Sequence, residues 1–432
     1  MEKRLFHLII LAFIIRIIPL LAIAFLGTNN ALYDGDSGSY TVMAKSFAKG
    51  DILFKEEEAR LSSFSRTPGY PIFLGIFYFL SLSDTFIAFI QIIIDCAALY
   101  FIYKTVDTVF GNKAAFFASL LYALNPTMIL FSFKILTESL FNFVFITANY
   151  YFVRSLYKNE KSELTVGILF SILSLIRPVG IFFSLTYALV LFAKNRNLKS
   201  AFLLFIPSLI LPALWMIRNQ QVLGYFIISA IPEVNVLCWQ ATFLANDNVD
   251  MEKWGKFIDE YKVKDYTECN RLPYEKVHEG APIATKFILD NFGLYIKYFV
   301  KAVILFFAPA TPNYVLSAFG VEGQVVHFSE VLFKIGLDFG KIVSIIAERP
   351  LYLALFALSV IYELILYYLF ASALLKLIKE KKHNYLLLLL ALLFLYTIIS
   401  AGLVSMFSSY RYRMPIEIFL IIIASYYKFT KN

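Results

Sequence analysis

The chain of 432 residues is 59% hydrophobic, with 45 Phe and 28 Tyr, and its mean hydropathy is +0.70. No soluble domain of this size hides that much apolar surface, and repeated runs near the ~20 residues that cross a bilayer predict an all-α, polytopic membrane protein. The net charge of +8 follows from basic residues kept in cytoplasmic loops and calls for no nucleic acid.

Leu5 to Leu26 is the first apolar run. It is long for a signal-peptide core, Arg16 interrupts it, and Leu26-Gly27-Thr28 is a poor cleavage site, so it reads as a span. A loop over about 27–84 follows. Asp36 precedes Tyr40, Met43, Ala44 and Phe47 at helical spacing, with Gly50 as a stop. Asp36 therefore fits an N-cap, and a carboxylate held at a helix start also fits a general base. Asp34 fits a solvated loop residue equally well. Arg66 comes just before Thr67-Pro68-Gly69-Tyr70-Pro71. The prolines and glycine fix a turn, and an arginine fork at a membrane interface suits a phosphate.

Pro71 to Leu82 is apolar, but a dozen helical residues cover only ~18 Å of a ~30 Å core. If it crossed, the basic clusters at Lys104/Lys113, Arg154/Lys158/Lys161, Lys194/Arg196/Lys199 and Lys376/Lys379/Lys381/Lys382 would all lie outside. If it lies along the outer surface, all of them are cytoplasmic, together with the N-terminus and the Lys428/Lys431 tail. The second arrangement obeys the positive-inside rule. The later spans are then read at 85–103, 114–131, 139–156, 164–176, 179–193, 201–217, 351–375, 385–407 and 415–428.

The second outer loop, about 132–138, holds Lys134 and Glu138. Thr137 is placed to cap the next helix, Glu138 to favour its dipole, and Lys134 to pair with Glu138. Arg177-Pro178 sits in a tight outer turn, where an arginine is costly unless it binds something. The third outer region, 218–350, begins at Arg218 and carries Trp239, Trp254, Cys238 and Cys269. The two cysteines can pair if the region faces an oxidising compartment. Phe292 to Pro309 is apolar enough to span, and Val331 to Ile346 must then cross back, giving ten or twelve spans. Near the C-terminus, Arg411 and Arg413 lie outside against the charge rule, as snorkelling residues or as a phosphate site. Four scattered histidines have no zinc-ligand spacing.

Several short segments together resemble the GT-C class of membrane glycosyltransferases, which includes protein O-mannosyltransferases and lipid A aminoarabinose transferases. They are Gly35-Asp36 with Tyr40 and Ala44, Arg66 to Pro71 with Phe73-Leu74, Thr137 to Phe141, Leu214 to Asn219 with Gly224, and Tyr410 to Pro415. Asp36-Ser37 stands where the mannosyltransferases carry an Asp-Glu pair, and Pro-Gly-Tyr-Pro where they carry His-Pro-Pro. The resemblance implies a GT-C transmembrane module over 1–217, an outer loop region over 218–350, possessing at most one membrane hairpin, and C-terminal helices over 351–432. It implies sugar transfer from a polyprenyl-phosphate donor to an acceptor outside the cell membrane, among membrane lipids. Asp36 is then the catalytic acidic residue and Glu138 the second-loop carboxylate. Arg66, Arg177, Arg411 and Arg413 are the expected phosphate ligands. Asp34, Tyr40, Tyr70, Lys134 and Arg218 are the expected substrate contacts. Asp34, Asp36 and Glu138 would together suit a divalent metal ion with oxygen ligands.

Two other classes fit the sequence. A lipid-linked-oligosaccharide flippase or other transporter would line a midplane path with charges such as Asp95 and Glu363. A surface-polysaccharide polymerase or ligase would carry its catalytic loop late in the chain. A single glycosyltransferase site requires Asp36 and Glu138 to meet, with Arg66, Arg411 and Arg413 on the same cavity.

Overall fold

Local chemistry starts and stops the apolar helices. The computed structural model describes residues 2–247, 249–309, 348–380, 388–397 and 410–429, with isolated positions at 312, 316, 321, 340 and 344. Among these residues there are helices and no strands. Helix α1 (Glu2–Leu26) packs on α5 (Asp84–Phe110) and α6 (Asn112–Ala123). Ser83 caps α5 by accepting from the Phe86 amide, and Gly111, at φ +84°, ends it. Left-handed backbone of this kind favours glycine.

Four helical segments among the described residues are long and apolar enough to cross a membrane: Lys3–Leu26, Asp84–Phe110, Leu198–Leu223 and Pro350–Glu380. The stretch expected as one span over 114–131 is instead bent by 58° between Asn112–Ala123 and Pro126–Ser132. Asn125 makes the break: its side chain accepts from the Met128 amide, and Pro126 opens the second helix, α7. Glu163–Ile176, Gly180–Asn195 and Leu388–Thr397 are shorter apolar helices. The last is the described part of the span expected over 385–407. The return span expected over Val331 to Ile346 lies, apart from positions 340 and 344, outside the described residues.

The two charges inside the first spans are paired with each other. Arg16 donates to Asp95 at 2.6 Å and to the carbonyl oxygens of Ala12, Tyr122 and Ala123, while the Tyr122 hydroxyl takes the other Asp95 oxygen. A buried ion pair survives in an apolar interior only when its remaining donors and acceptors are satisfied, as here. This pair joins α1, α5 and α6.

The loop after α1 folds into α2 (Ser37–Ala48), α3 (Glu57–Ser65) and α4 (Gly69–Phe79), with α2 packed along α4. Two glycines allow the approach. A Cβ on Gly75 would lie 2.6 Å from the Phe47 ring, and one on Gly69 would lie 2.7 Å from the backbone of Leu175. The second contact seats the start of α4 against the end of α9 (Glu163–Ile176), next to Arg177. The loop before α8 (Glu138–Lys158) is stitched to this one by Ile135 N to Leu32 O and Ser37 Oγ to Ile135 O, both at 2.8–2.9 Å.

Beyond helix α12 (Ile210–Leu223), residues 230–298 build a separate core around Leu237, Trp254, Phe257 and Phe287. Cys238 and Cys269 are disulfide-bonded within it, with Cα atoms 5.3 Å apart. Ala230 N to Phe64 O and Ser229 Oγ to Ser65 O tie this core to α3. The final helix, Tyr410–Phe429, packs against α5, α6, α7, α8 (Glu138–Lys158) and the Pro350–Glu380 helix. Its first turn therefore ends up beside both of these loops.

Candidate active site

Asp36 occupies the N-cap position of α2, but its side chain makes no capping bond. Its backbone is already helical, at φ −80° and ψ −19°, whereas a capping residue is normally extended. The carboxylate instead accepts from Arg66 Nη2 at 2.6 Å on one oxygen and from Arg411 Nη2 at 2.8 Å on the other. Thr137 departs from expectation in the same way. It gives α8 no side-chain cap, and its hydroxyl oxygen accepts from Arg177 Nε at 2.7 Å. At both helix starts, a hydrogen bond from a distant arginine displaces the local cap.

Glu138, the first residue of α8, is fully buried. Its Oε1 accepts from Arg177 Nη2 at 2.5 Å and Arg411 Nε at 2.8 Å. Its Oε2 is buried without a partner among the described residues. Arg411 thus bridges Asp36 and Glu138 directly, and Asp34 lies 3.5 Å from its third nitrogen. Arg66 also donates to Ser39 Oγ at 2.9 Å, and its guanidinium lies 5.3 Å from the centre of the Tyr40 ring. The cluster is graded in exposure. The Asp36 and Arg66 side chains are 27% and 20% exposed, Arg411 is 9% and Glu138 is 0%. A ligand arriving from outside reaches Asp36 and Arg66 first. Burial pushes the Asp36 carboxyl up, but the guanidiniums of Arg66 and Arg411 outweigh it and hold it below its ordinary value.

Lys134 is buried, and its ammonium donates to the carbonyl oxygens of Ala31 at 2.6 Å and Tyr33 at 3.4 Å. The ion pairs of Glu138 go to Arg177 and Arg411. Burial pushes the Lys134 ammonium down to about 8, opposed by the nearby Asp34 charge.

Three sequence-level assignments change. Tyr70, expected at the substrate, is fully buried and donates its hydroxyl to Gln91 at 2.6 Å, while Gln91 donates to the Lys134 carbonyl. Arg218, also expected at the substrate, spends its donors on Leu53 O, Phe54 O, Ser63 Oγ and Asn219 Oδ1. It clamps a stretch of the first loop in which Phe54 sits at φ +52°, a conformation costly for a side chain of that size. Arg413 stands two residues past Arg411, roughly 200° around the helix, and points elsewhere. It is fully buried between Glu363 and Glu417, with further bonds to Phe306 O, Ala308 O and Tyr367 Oη. It joins the C-terminal helices and does not share the Arg411 cluster.

Gln91 and Ser39 are contributors that sequence reasoning passed over, and Thr137 reads there only as a helix cap. Only Gln91 left a signal, as a lone amide inside an apolar span. A divalent cation does not fit the three carboxylates as they stand, because the Arg411 guanidinium occupies the space between them. No group of three His, Cys, Asp or Glu among the described residues is arranged to hold one.

A family model described as dolichyl-phosphate-mannose-protein mannosyltransferase matches residues 65–217. That is roughly a third of the chain, and it contains Arg66, Lys134, Glu138 and Arg177 but neither Asp36 nor Arg411. No curated protein matches the chain. The match, together with the long apolar helices, supports an integral membrane glycosyltransferase of the GT-C class.

Proposed function

We propose that this chain transfers a sugar, mannose by analogy with the matched family, from a polyprenyl-phosphate carrier to an acceptor hydroxyl or amine outside the membrane. The observation that carries the reading is Asp36, partly exposed and held between Arg66 and Arg411 where three outer segments meet. In the reaction, the acceptor oxygen or nitrogen bonds to the anomeric carbon as its proton passes to Asp36. The bond from that carbon to the phosphate oxygen breaks, and the phosphate keeps the electron pair. Fixed cations stabilise such a leaving group best, because its charge grows in the transition state. Arg66 and Arg411 are poised for this, and the phosphate takes them by exchanging with Asp36. Arg177 donates to Thr137 and Glu138 and so holds in place the carboxylate that Arg411 also takes.

The positive-inside arrangement of the loops and the Cys238–Cys269 disulfide both favour an outer site. A transporter is less favoured, because its candidate midplane acids are neutralised by neighbours: Asp95 by Arg16 and Glu363 by Arg413. The test is incubation of purified protein with radiolabelled polyprenyl-phosphate mannose. Release of polyprenyl phosphate is expected, accelerated by extracts containing the acceptor, and mass spectrometry of surface glycans and lipids with and without the protein identifies that acceptor. An intact donor under all conditions would overturn the reading.

Two further outcomes are expected. Three guanidiniums and one ammonium face three carboxylates, so the site holds one net positive charge while Lys134 is protonated. A phosphodiester carries one negative charge. As pH rises through about 8 Lys134 loses its proton, so the KM for the donor is expected to climb between pH 7 and 9. Lys134→Met should have a high KM at both ends, with no such step. Stability should rise with pH over the same window, because the unfolded chain, with its lysine near ~10.4, keeps the proton that the folded chain loses. Turnover is also expected to survive exhaustive treatment with EDTA, since Arg411 already stands where a cation would bind. A loss that added Mg²⁺ or Mn²⁺ reverses would show that the carboxylates rearrange around a metal.

A further inference from the structure

We infer that Tyr412 is an additional donor-binding residue, its phenol donating a hydrogen bond to a phosphate oxygen of the lipid-linked sugar. The inference rests on the proposed function and extends it to a side chain outside the charged cluster. Tyr412 follows Arg411 in the first turn of the final helix, and the Arg411 guanidinium lies 6.0 Å from its ring centre. Its electrostatic neighbours are Arg411, Asp36, Arg66 and Arg177, the same four groups that surround Tyr40.

The hydroxyl distinguishes it from nearby phenols. Tyr70 spends its proton on Gln91, Tyr122 on Asp95, and Tyr33 and Tyr78 on Asp84. The Tyr412 hydroxyl has no hydrogen-bond partner among the described residues. It is also not among the buried polar atoms cut off from solvent, and the residue is half-buried. Tyr40 is more enclosed, wedged between the Tyr70 ring and Arg66.

A phenol is an O–H donor on a rigid apolar body. Placed among three guanidiniums, it faces a region that attracts anions. Each of those guanidiniums already holds a carboxylate, so an incoming phosphate must compete for them. The Tyr412 hydroxyl is a donor it can take without displacing anything. One net positive charge in the site matches one phosphodiester charge, so the ligand chemistry that fits is a phosphate ester at the membrane boundary.

The test is Tyr412→Phe, which keeps the ring against Arg411 and removes only the hydroxyl. Its melting temperature should match the wild type. Its KM for polyprenyl-phosphate mannose is expected to rise about tenfold, the effect of one hydrogen bond to a charged group, with kcat changed much less. Polyprenyl phosphate without a sugar should weaken by the same factor in direct binding, which locates the contact on the phosphate. Equal binding of polyprenyl phosphate to both proteins would overturn the inference, whether or not the KM for the sugar-linked donor changes. If Tyr412→Phe unfolds, Tyr412→His, which restores a ring donor, must recover binding as well as folding, and recovery of folding alone also overturns it. Failure of the wild type to use polyprenyl-phosphate mannose while still binding polyprenyl phosphate would reject the proposed reaction and leave the Tyr412 contact standing.

Discussion

Asp36→Asn is expected to lower turnover by about 10²–10⁴, the usual span for loss of a general base, without raising the donor KM. The amide has nearly the same shape and can still accept from one arginine, so the loop stays folded. It cannot take the acceptor proton. Because the carboxylate competes with the donor phosphate for Arg66 and Arg411, its removal should leave donor binding unchanged or tighter. A fall in kcat with a flat or reduced KM is therefore the signature, read from initial rates at several donor concentrations. Asp34→Asn serves as the control. Its contact with Arg411 is long, at 3.5 Å, and its loss should change rates only a few-fold. Wild-type turnover in Asp36→Asn would remove the residue from the chemistry.

Much of the architecture could be read from hydropathy and charge. Apolar runs mark helices because backbone polar groups in a bilayer must be satisfied internally. The residues that converge on Arg411 were visible for a related reason. Asp36, Arg66, Glu138 and Arg411 are charges placed where a membrane protein tolerates few, so each needed an explanation beyond solvation. What local rules misjudged was direction. Asp36 and Thr137 carry the residue types and positions of helix caps, yet arginines from distant segments take both side chains. Charge-assisted hydrogen bonds from arginine outweigh a cap worth ~1 kcal/mol.

Arg411 and Arg413 show the limit most clearly. They are the same residue type in nearly the same sequence context, and helical geometry alone sends them to different clusters. Arg218 posed the same difficulty, because nothing local reveals that its partners are carbonyl groups of a loop some 160 residues away. Gln91 and Tyr412 escaped notice because one polar group in an aromatic or aliphatic run has many uses. Only the packed fold shows which hydroxyl is spent and which is free.

Arg411→Gln should damage both stability and activity, and a second substitution should separate the two effects. Arg411 hydrogen-bonds both Asp36 and Glu138, and Glu138 is sealed from water. Breaking a buried pair by removing one partner typically costs ~3–5 kcal/mol. Here the loss should fall below that range, since Arg177 still holds Glu138 and Asp36 is partly solvated. Adding Glu138→Gln removes the carboxylate that the single variant leaves under-compensated. The double variant is expected to regain much of the melting temperature while its turnover stays as low as that of Arg411→Gln. Lysine at 411 should rescue neither fully, because a single ammonium cannot present separate donors to three carboxylates as a guanidinium fork does. If the double variant melts no higher than the single one, Arg411 and Glu138 are not energetically coupled, and the bridge between the two loops is not what holds this site together.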